Sequence, residues 1–288
     1  MSKDTHMIHV GCVLLSSTMA QSHASFLRTH PVFTVDDFDQ HLKSHGEPGE
    51  RTRERLLDYY LNARRVVRVR RGLYVSVPDE GDAEHAKVDP YLVASCVTPD
   101  AVVAYHSALS FFDRAYSVRG EVTYAAARPR APFAFAGTSY RGTRFPASLL
   151  EAGQEHFAVG TRERDGLPVR VTSLERALVD VLDRPSLSGS WEEIWRSLAA
   201  VEFFDLDVVL DYARLLDNAT TAAKVGFFLE QHAEALMVDE AHLKALRAMR
   251  PRHAHYLERG QREGGRLISE WNLIVPEEIL EQAWAEVP

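Results

Sequence analysis

"RRVVRVRRGLYV", residues 64–75, is a short segment that combines apolar residues with a strong positive charge. It holds five arginines within eight residues, in a chain of 288 residues whose formal net charge is -8. Valine alternates with arginine at 67–70, which is the period of a β-strand. Gly72 can adopt the positive φ of a tight turn. The stretch therefore predicts a β-hairpin with Arg68 and Arg70 on one face.

Helix signals precede this hairpin. In "HPVFTVDDFDQHLKSHG", residues 30–46, Thr34 and Asp37 have the spacing of a capping box, and Phe33 and Phe38 that of a hydrophobic staple. A second helix is predicted in "ERTRERLLDYYLNA", residues 50–63, opened by Thr52 or a nearby residue. With a further short helix predicted around residues 24–29, three helices precede the β-hairpin. This order predicts a winged helix-turn-helix at residues 23–80.

The charge distribution favours nucleic acid as the partner of this unit. Residues 51–74 contain eight arginines and no lysine, against only Glu54 and Asp58. Arginine neutralises phosphates and reads guanine edges with two hydrogen bonds. A solvated charged face beside a small core remains the alternative. The residues predicted to bind DNA are Arg51, Thr52, Arg53, Arg55, Tyr59, Arg64, Arg65, Arg68, Arg70 and Arg71.

The remainder of the chain predicts a larger α+β domain at residues 88–288, after a boundary at about residues 79–88. Its first apolar segment, residues 101–112, is predicted to be a helix. Short strand-like segments follow between residues 121 and 173, and the end is mostly helical. Gly226 within a helical segment predicts the close approach of another backbone. Residues 1–22 are interpreted as a disordered leader.

Motifs that carry chemistry are scarce in this sequence. It contains no Walker loop, dinucleotide fingerprint or zinc spacing. Tyr105, His106 and Ser107 lack a nucleophile elbow and an identifiable acidic partner, so helix packing is the favoured role. "HAH" at residues 253–255 lacks further identifiable metal ligands. The sequence therefore predicts no catalytic residue, metal or cofactor.

Composition points to the cytoplasm. Cys12 and Cys96 are too few for a disulfide framework, which favours reduced thiols. No segment reaches the ~20 apolar residues of a membrane-spanning helix, so no membrane partner is expected.

Six motifs together resemble the AbiE-type antitoxins (AbiEi), transcriptional regulators of type IV toxin–antitoxin systems in abortive infection and phage defence. The motifs are "PVFTVDDF" (31–38), "RVRRGLYV" (68–75), "AYHSAL" (104–109), "VTSLERALVDVL" (171–182), "AKVGFFLE" (223–230) and "WNLIVP" (271–276). The resemblance implies an N-terminal winged helix-turn-helix that represses the operon's own promoter at inverted repeats. It also implies a C-terminal antitoxin domain that counters a nucleotidyltransferase-type toxin.

The sequence thus predicts a non-enzymatic, DNA-binding antitoxin and repressor. Direct contact with the toxin stays open, and no individual residue is assigned to toxin neutralisation. One alternative is a stand-alone winged-helix repressor with a ligand-sensing or dimerising C-terminal domain. Another is a nucleic-acid-processing defence enzyme, against which the lack of a carboxylate and lysine cluster argues.

Overall fold

A computed structural model describes residues 21–46, 49–77, 88–258 and 265–282 of the chain, which has a mixed α+β fold. Residues 1–20 of the predicted leader lie outside the described residues. Residues 21 and 22, which the sequence analysis counted with that leader, are helical. The predicted boundary at about residues 79–88 falls largely on residues outside the description. No helix in the described part of the chain has the length and apolar character that a membrane crossing requires.

The described part contains helices and strands throughout. The helices are α1 (residues 21–29), α2 (Val35–Ser44), α3 (Glu50–Asn62), α4 (Pro90–Ser95), α5 (His106–Phe111), α6 (Ala147–Ala152), α7 (Leu174–Asp183), α8 (Trp191–Ala199), α9 (Leu206–Leu216), α10 (Ala219–Gln231), α11 (Glu240–Met249) and α12 (Glu277–Leu280). The strands are β1 (Val32–Thr34), β2 (Val66–Arg70), β3 (Leu73–Ser76), β4 (Val102–Val103), β5 (Glu121–Ala126), β6 (Phe133–Phe135), β7 (Thr138–Arg144), β8 (Val159–Arg164), β9 (Leu167–Thr172), β10 (His255–Tyr256), β11 (Arg266–Ile268) and β12 (Leu273–Val275).

Local signals at the start of α2 act as the sequence predicts. The Thr34 side chain accepts a hydrogen bond from Asp37 N at 3.2 Å, and Thr34 N donates to Asp37 Oδ2 at 2.7 Å. These two bonds form the predicted capping box. Of the predicted openings of α3, at Thr52 or a nearby residue, the nearby one is found, because the helix begins at Glu50 after Gly49. Gly49 has a φ of 133°, which favours glycine, and it provides no side-chain cap.

A three-stranded sheet, in the order β1-β3-β2, separates two hydrophobic clusters. Side chains of neighbouring residues in a strand point to opposite faces. Phe33 and Tyr74 therefore pack in a small cluster with α1, α2 and α3. Val32, Leu73 and Val75 belong instead to the large cluster that forms the core of the C-terminal part. The sheet consequently ties the N-terminal helices to the rest of the molecule.

The C-terminal part is built on a six-stranded sheet in the order β6-β7-β5-β4-β9-β8. The predicted helix over residues 101–112 is wrong in its first half, because β4 lies in the middle of this sheet and α5 begins only at His106. Both valines of β4 are fully buried, and an apolar run of this kind fits a buried strand as well as a helix. Tyr105, with a φ of 60°, separates the strand from the helix.

The chain ends in packed helices and a small sheet in the order β10-β12-β11. Gly226 of α10 is approached closely, but the prediction of a neighbouring backbone is wrong. The ring of Trp271 lies against this glycine instead, where a Cβ atom would collide with it. The indole is fully buried, so this contact joins α10 to the segment before β12.

We expect the N-terminal helices to lose stability in mild acid. Burial lowers the pKa of His41 from 6.5 to about 4, and the nearby His45, His23 and His30 lower it further. The unfolded chain therefore binds the proton first, and stability falls as the pH drops from 6.5 towards 4. Since His41 is partly solvated, we expect a loss of about 1–2 kcal/mol at pH 5. Urea unfolding at two pH values measures this loss, and His41→Phe should reduce it. An equal loss of stability in the variant would show that protonation of His41 is not the cause.

Candidate nucleic-acid interface

The outer face of α3 presents Arg51, Arg55 and Tyr59 to solvent. Leu57 and Tyr60 face the small hydrophobic cluster, so the helical period places these three side chains on the opposite side. Tyr59 is 64% exposed, which is high for an aromatic residue. This face combines positive charge with an aromatic ring, as surfaces that contact nucleic acid do.

Arg53 has a different role from its neighbours on α3. Its Nη1 lies 3.3 Å from Asp39 Oδ1 of α2, and its Nη2 lies 3.3 Å from Glu50 Oε1. The guanidinium thus joins α2 to α3, and its charge is shared between two carboxylates. Thr52, predicted beside it, is partly buried. Arg53 therefore supports the helix pair more than it presents free charge.

Arg64 and Arg65 form the junction between α3 and β2. Arg64 is exposed and has a φ of 55°, so its backbone lies in the left-handed region that commonly ends a helix. The N–H groups of Arg64 and Arg65 donate to Leu61 O at 3.1 Å and Tyr60 O at 2.9 Å. These bonds turn the chain sharply, so the hairpin begins directly beside the end of α3.

The hairpin forms as predicted, but Arg68 and Arg70 do not share a face. Arg68 is paired with Tyr74 across the strands, and a bulge then pairs Arg70 with Leu73. Arg68 lies over the Tyr74 ring at 5.7 Å on the side of the small cluster. Arg70 lies over the ring of Phe133 at 5.0 Å, against β6 of the C-terminal part. The prediction of a shared face is therefore wrong, because the bulge inserts one residue between them.

The exposed arginines of this region lack acidic partners in the described part of the chain. No ion pair with a described carboxylate is formed by Arg51, Arg55, Arg64, Arg68 or Arg71. Arg71 stands at the hairpin turn beside Gly72, whose φ is 84°. Charges that the fold does not neutralise are available to an anionic partner.

A second group of exposed arginines was missed by the sequence analysis. These are Arg128, Arg130, Arg141 and Arg144, around the β5–β6 loop and on β7. None of the four pairs with a described carboxylate. The contact between Arg70 and Phe133 joins their sheet to the hairpin. The signal was present in the sequence, since residues 122–147 contain these four arginines and no acidic residue.

The residues that invited a catalytic interpretation lie in the core. Ser107 Oγ accepts a hydrogen bond from Thr123 N at 2.8 Å. His106 Nε2 lies 2.9 Å from Glu193 Oε1, an acidic partner 87 positions away that the sequence analysis did not identify. Both side chains are buried and held by structural partners. Among the residues described, no three His, Cys, Asp or Glu side chains form a group that could hold a metal ion.

A comparison of the chain with protein-family models gives no match, and a comparison with curated protein sequences gives none either.

Proposed function

We propose that this protein is a DNA-binding repressor of its own promoter that also acts as an antitoxin. In this proposal residues 23–80 form a winged helix-turn-helix. Helix α3 lies in the major groove, and the β2–β3 hairpin forms the wing along the phosphates. The observation that carries the proposal is the set of exposed arginines without described acidic partners on α3, at its junction with β2 and at the hairpin turn.

The contacts described above divide the arginines into two groups. Arg51 and Arg55 extend from α3 and could reach base edges, while Arg64, Arg68 and Arg71 suit phosphates. Arg53 positions α3 through Asp39, so its replacement would act on the helix pair. The second arginine group around β6 and β7 extends the basic surface beyond the hairpin.

Replacing Arg68 and Arg71 together should weaken binding to all duplexes. Each lost phosphate contact reduces the slope of log affinity against log salt by about 0.9, so the pair should reduce it by about 1.8. Fluorescence anisotropy on the DNA upstream of the gene, over a salt series, measures the slope. Arg70→Ala is the matched control, because this guanidinium lies on Phe133 and should alter the slope less.

Three outcomes would count against this function. An unchanged slope in the double variant would remove the hairpin from the interface. Equal binding to the upstream DNA and to a scrambled duplex of the same length would remove the specific repressor. Binding to neither duplex would leave the arginines as a solvated surface.

The antitoxin half of the proposal rests on the resemblance of the six motifs quoted above. Its test is growth of cells that express an adjacent nucleotidyltransferase gene with and without this chain. Full toxicity in the presence of the chain would favour a stand-alone repressor instead.

A further inference from the structure

A loop between α5 and β5, residues 113–120, lies along helix α8. We call it the pinned loop, because two side chains of α8 hold its backbone. Tyr116 N donates to Ser197 Oγ at 2.9 Å, and Ser117 N donates to Glu193 Oε1 at 3.1 Å. The loop thus follows α8 from its second turn towards its first.

The carboxylate of Glu193 is itself held in place by other side chains. Glu193 is buried, its Oε1 lies 2.9 Å from His106 Nε2, and it accepts a bond from Ser197 Oγ at 3.1 Å. A buried polar network with satisfied partners is rigid. The backbone of the pinned loop is therefore held at Tyr116 and Ser117 by a buried network.

The pinned loop nevertheless presents apolar side chains to solvent. Val118 is 100% exposed and Tyr116 is 54% exposed, and Arg119 beside them is exposed as well. Tyrosine and arginine are enriched among the residues that dominate the binding energy of protein interfaces, and the loop presents one of each beside Val118. Rigidity reduces the entropy lost on association, which favours docking by such a loop.

A cavity of about 1030 Å³ opens at the beginning of α8. Its apolar lining includes Leu187, Trp191 and Leu257, and acidic groups lie among them. We call it the acidic cavity, because its lining has the four acidic residues Asp183, Glu192, Glu258 and Glu278 against the two basic residues Arg184 and Lys224. Its chemistry suits an apolar side chain accompanied by a cation.

The pinned loop and the acidic cavity belong to one continuous surface. Gly189 lines the cavity, and Arg119 Nη1 lies 3.6 Å from the position of a Cβ at this glycine. Arg196 lies over the Tyr116 ring at 4.6 Å, while its Nε is 3.0 Å from Glu192 Oε1. Two separate chains of contacts therefore connect the loop with the rim of the cavity.

We propose that two copies of this chain associate through this surface, the pinned loop of each copy entering the acidic cavity of the other. Val118 and Tyr116 meet the apolar lining, and Arg119 meets the carboxylates at the rim. A two-fold axis forms both contacts at once, because complementary features on one surface make that surface self-complementary. The occupant is a second copy, since the loop presents exposed apolar side chains with one arginine, and the cavity lining has apolar groups and more acidic than basic residues. The proposal does not rest on DNA binding.

Sedimentation equilibrium of the full chain, without DNA, tests the association. The wild-type protein should form a dimer, and Val118→Asp should weaken it by at least about tenfold, as expected of a central contact. A fully exposed residue can be replaced with little effect on folding. Met237→Asp is the control, because Met237 is 68% exposed and lines neither the loop nor the cavity.

A charge exchange tests the pairing itself. Arg119→Glu and Glu278→Arg should each weaken the dimer, and the two changes in one chain should restore part of the affinity. A chain that remains monomeric at every concentration would overturn the proposal, as would a dimer unaffected by Val118→Asp. No recovery in the double variant would overturn the pairing of loop and cavity. None of these results bears on the proposed repressor function, since no DNA is present.

Discussion

Replacing Gly226 with alanine should lower the free energy of unfolding by about 3 kcal/mol through overpacking. Helix propensity alone favours alanine by about 1 kcal/mol, so the expected sign is opposite to that of an open helical site. A Cβ atom at Gly226 would overlap Cζ3 and Cη2 of Trp271 and lie 2.7 Å from Cε3. The indole cannot move away freely, because it is fully buried and its Nε1 donates to Glu230 Oε2 at 2.7 Å.

Urea unfolding of the Gly226→Ala and Trp271→Leu variants, and of the two changes combined, measures this effect. Trp271→Leu alone should also destabilise, because it removes buried ring atoms and the bond to Glu230. The combined variant should lose less stability than the sum of the single losses, since the smaller leucine leaves room for the new methyl group. A Gly226→Ala variant as stable as the wild type would contradict the contact.

The close approach of this tryptophan illustrates which features of the fold could be predicted from the sequence. A glycine within a helical segment indicates that something approaches it, and that part of the prediction is confirmed. The identity of the neighbour depends on Trp271, 45 positions later in the chain. The sequence does not reveal a partner so far along the chain. The prediction that a backbone approaches Gly226 was therefore wrong, because a side chain does.

Local features were predicted more successfully because their determinants lie within a few residues. The capping box of Thr34 and Asp37 joins residues three positions apart, and the Gly72 turn requires only its own positive φ. Strand β4 was mistaken for helix because Val102 and Val103 are apolar without a usable period. Only pairing with β5 and β9 identifies this segment as a strand.

The sequence predicted which residues are candidates for the interface, but not the contacts that each of them makes. The sequence indicates which arginines are concentrated between residues 51 and 71, and most of them are exposed. It does not indicate that Arg53 is paired with Asp39, or that a bulge turns Arg70 towards Phe133. Both outcomes depend on contacts between elements that the local pattern does not specify.

Replacing Asp180 with alanine should be among the most destabilising single changes in the chain, at about 3–5 kcal/mol. Asp180 and Arg176 are both buried, and Arg176 Nε lies 3.5 Å from Asp180 Oδ2. Tyr212 donates to the other oxygen of Asp180 at 2.6 Å. Loss of this carboxylate leaves the Arg176 guanidinium charged in the core, because arginine does not release its proton at accessible pH.

The reverse deletion should cost less and should depend on pH. Burial raises the pKa of Asp180, against the attraction of Arg176 and the bond from Tyr212, so this carboxyl can become neutral when its partner is removed. Without Arg176 its folded pKa rises further above the unfolded value. The charged form then destabilises the fold above the unfolded pKa, and this loss diminishes as the pH falls. Urea unfolding of Asp180→Ala and Arg176→Met at neutral and acidic pH should show both differences.

An exposed aspartate supplies the control for this comparison. Asp207 of α9 is 89% exposed and lies 3.8 Å from His242, so Asp207→Ala should change stability by less than about 0.5 kcal/mol. Replacing both members of the buried pair with apolar residues of similar size should recover most of the stability, because neither charge is then left uncompensated. If Asp180→Ala costs no more than Asp207→Ala, the buried pair does not stabilise the core. A double replacement as unstable as Asp180→Ala would instead show that the hydrogen bonds of Arg176 to Glu155 O and Phe157 O, at 2.8 and 2.7 Å, are the essential contribution.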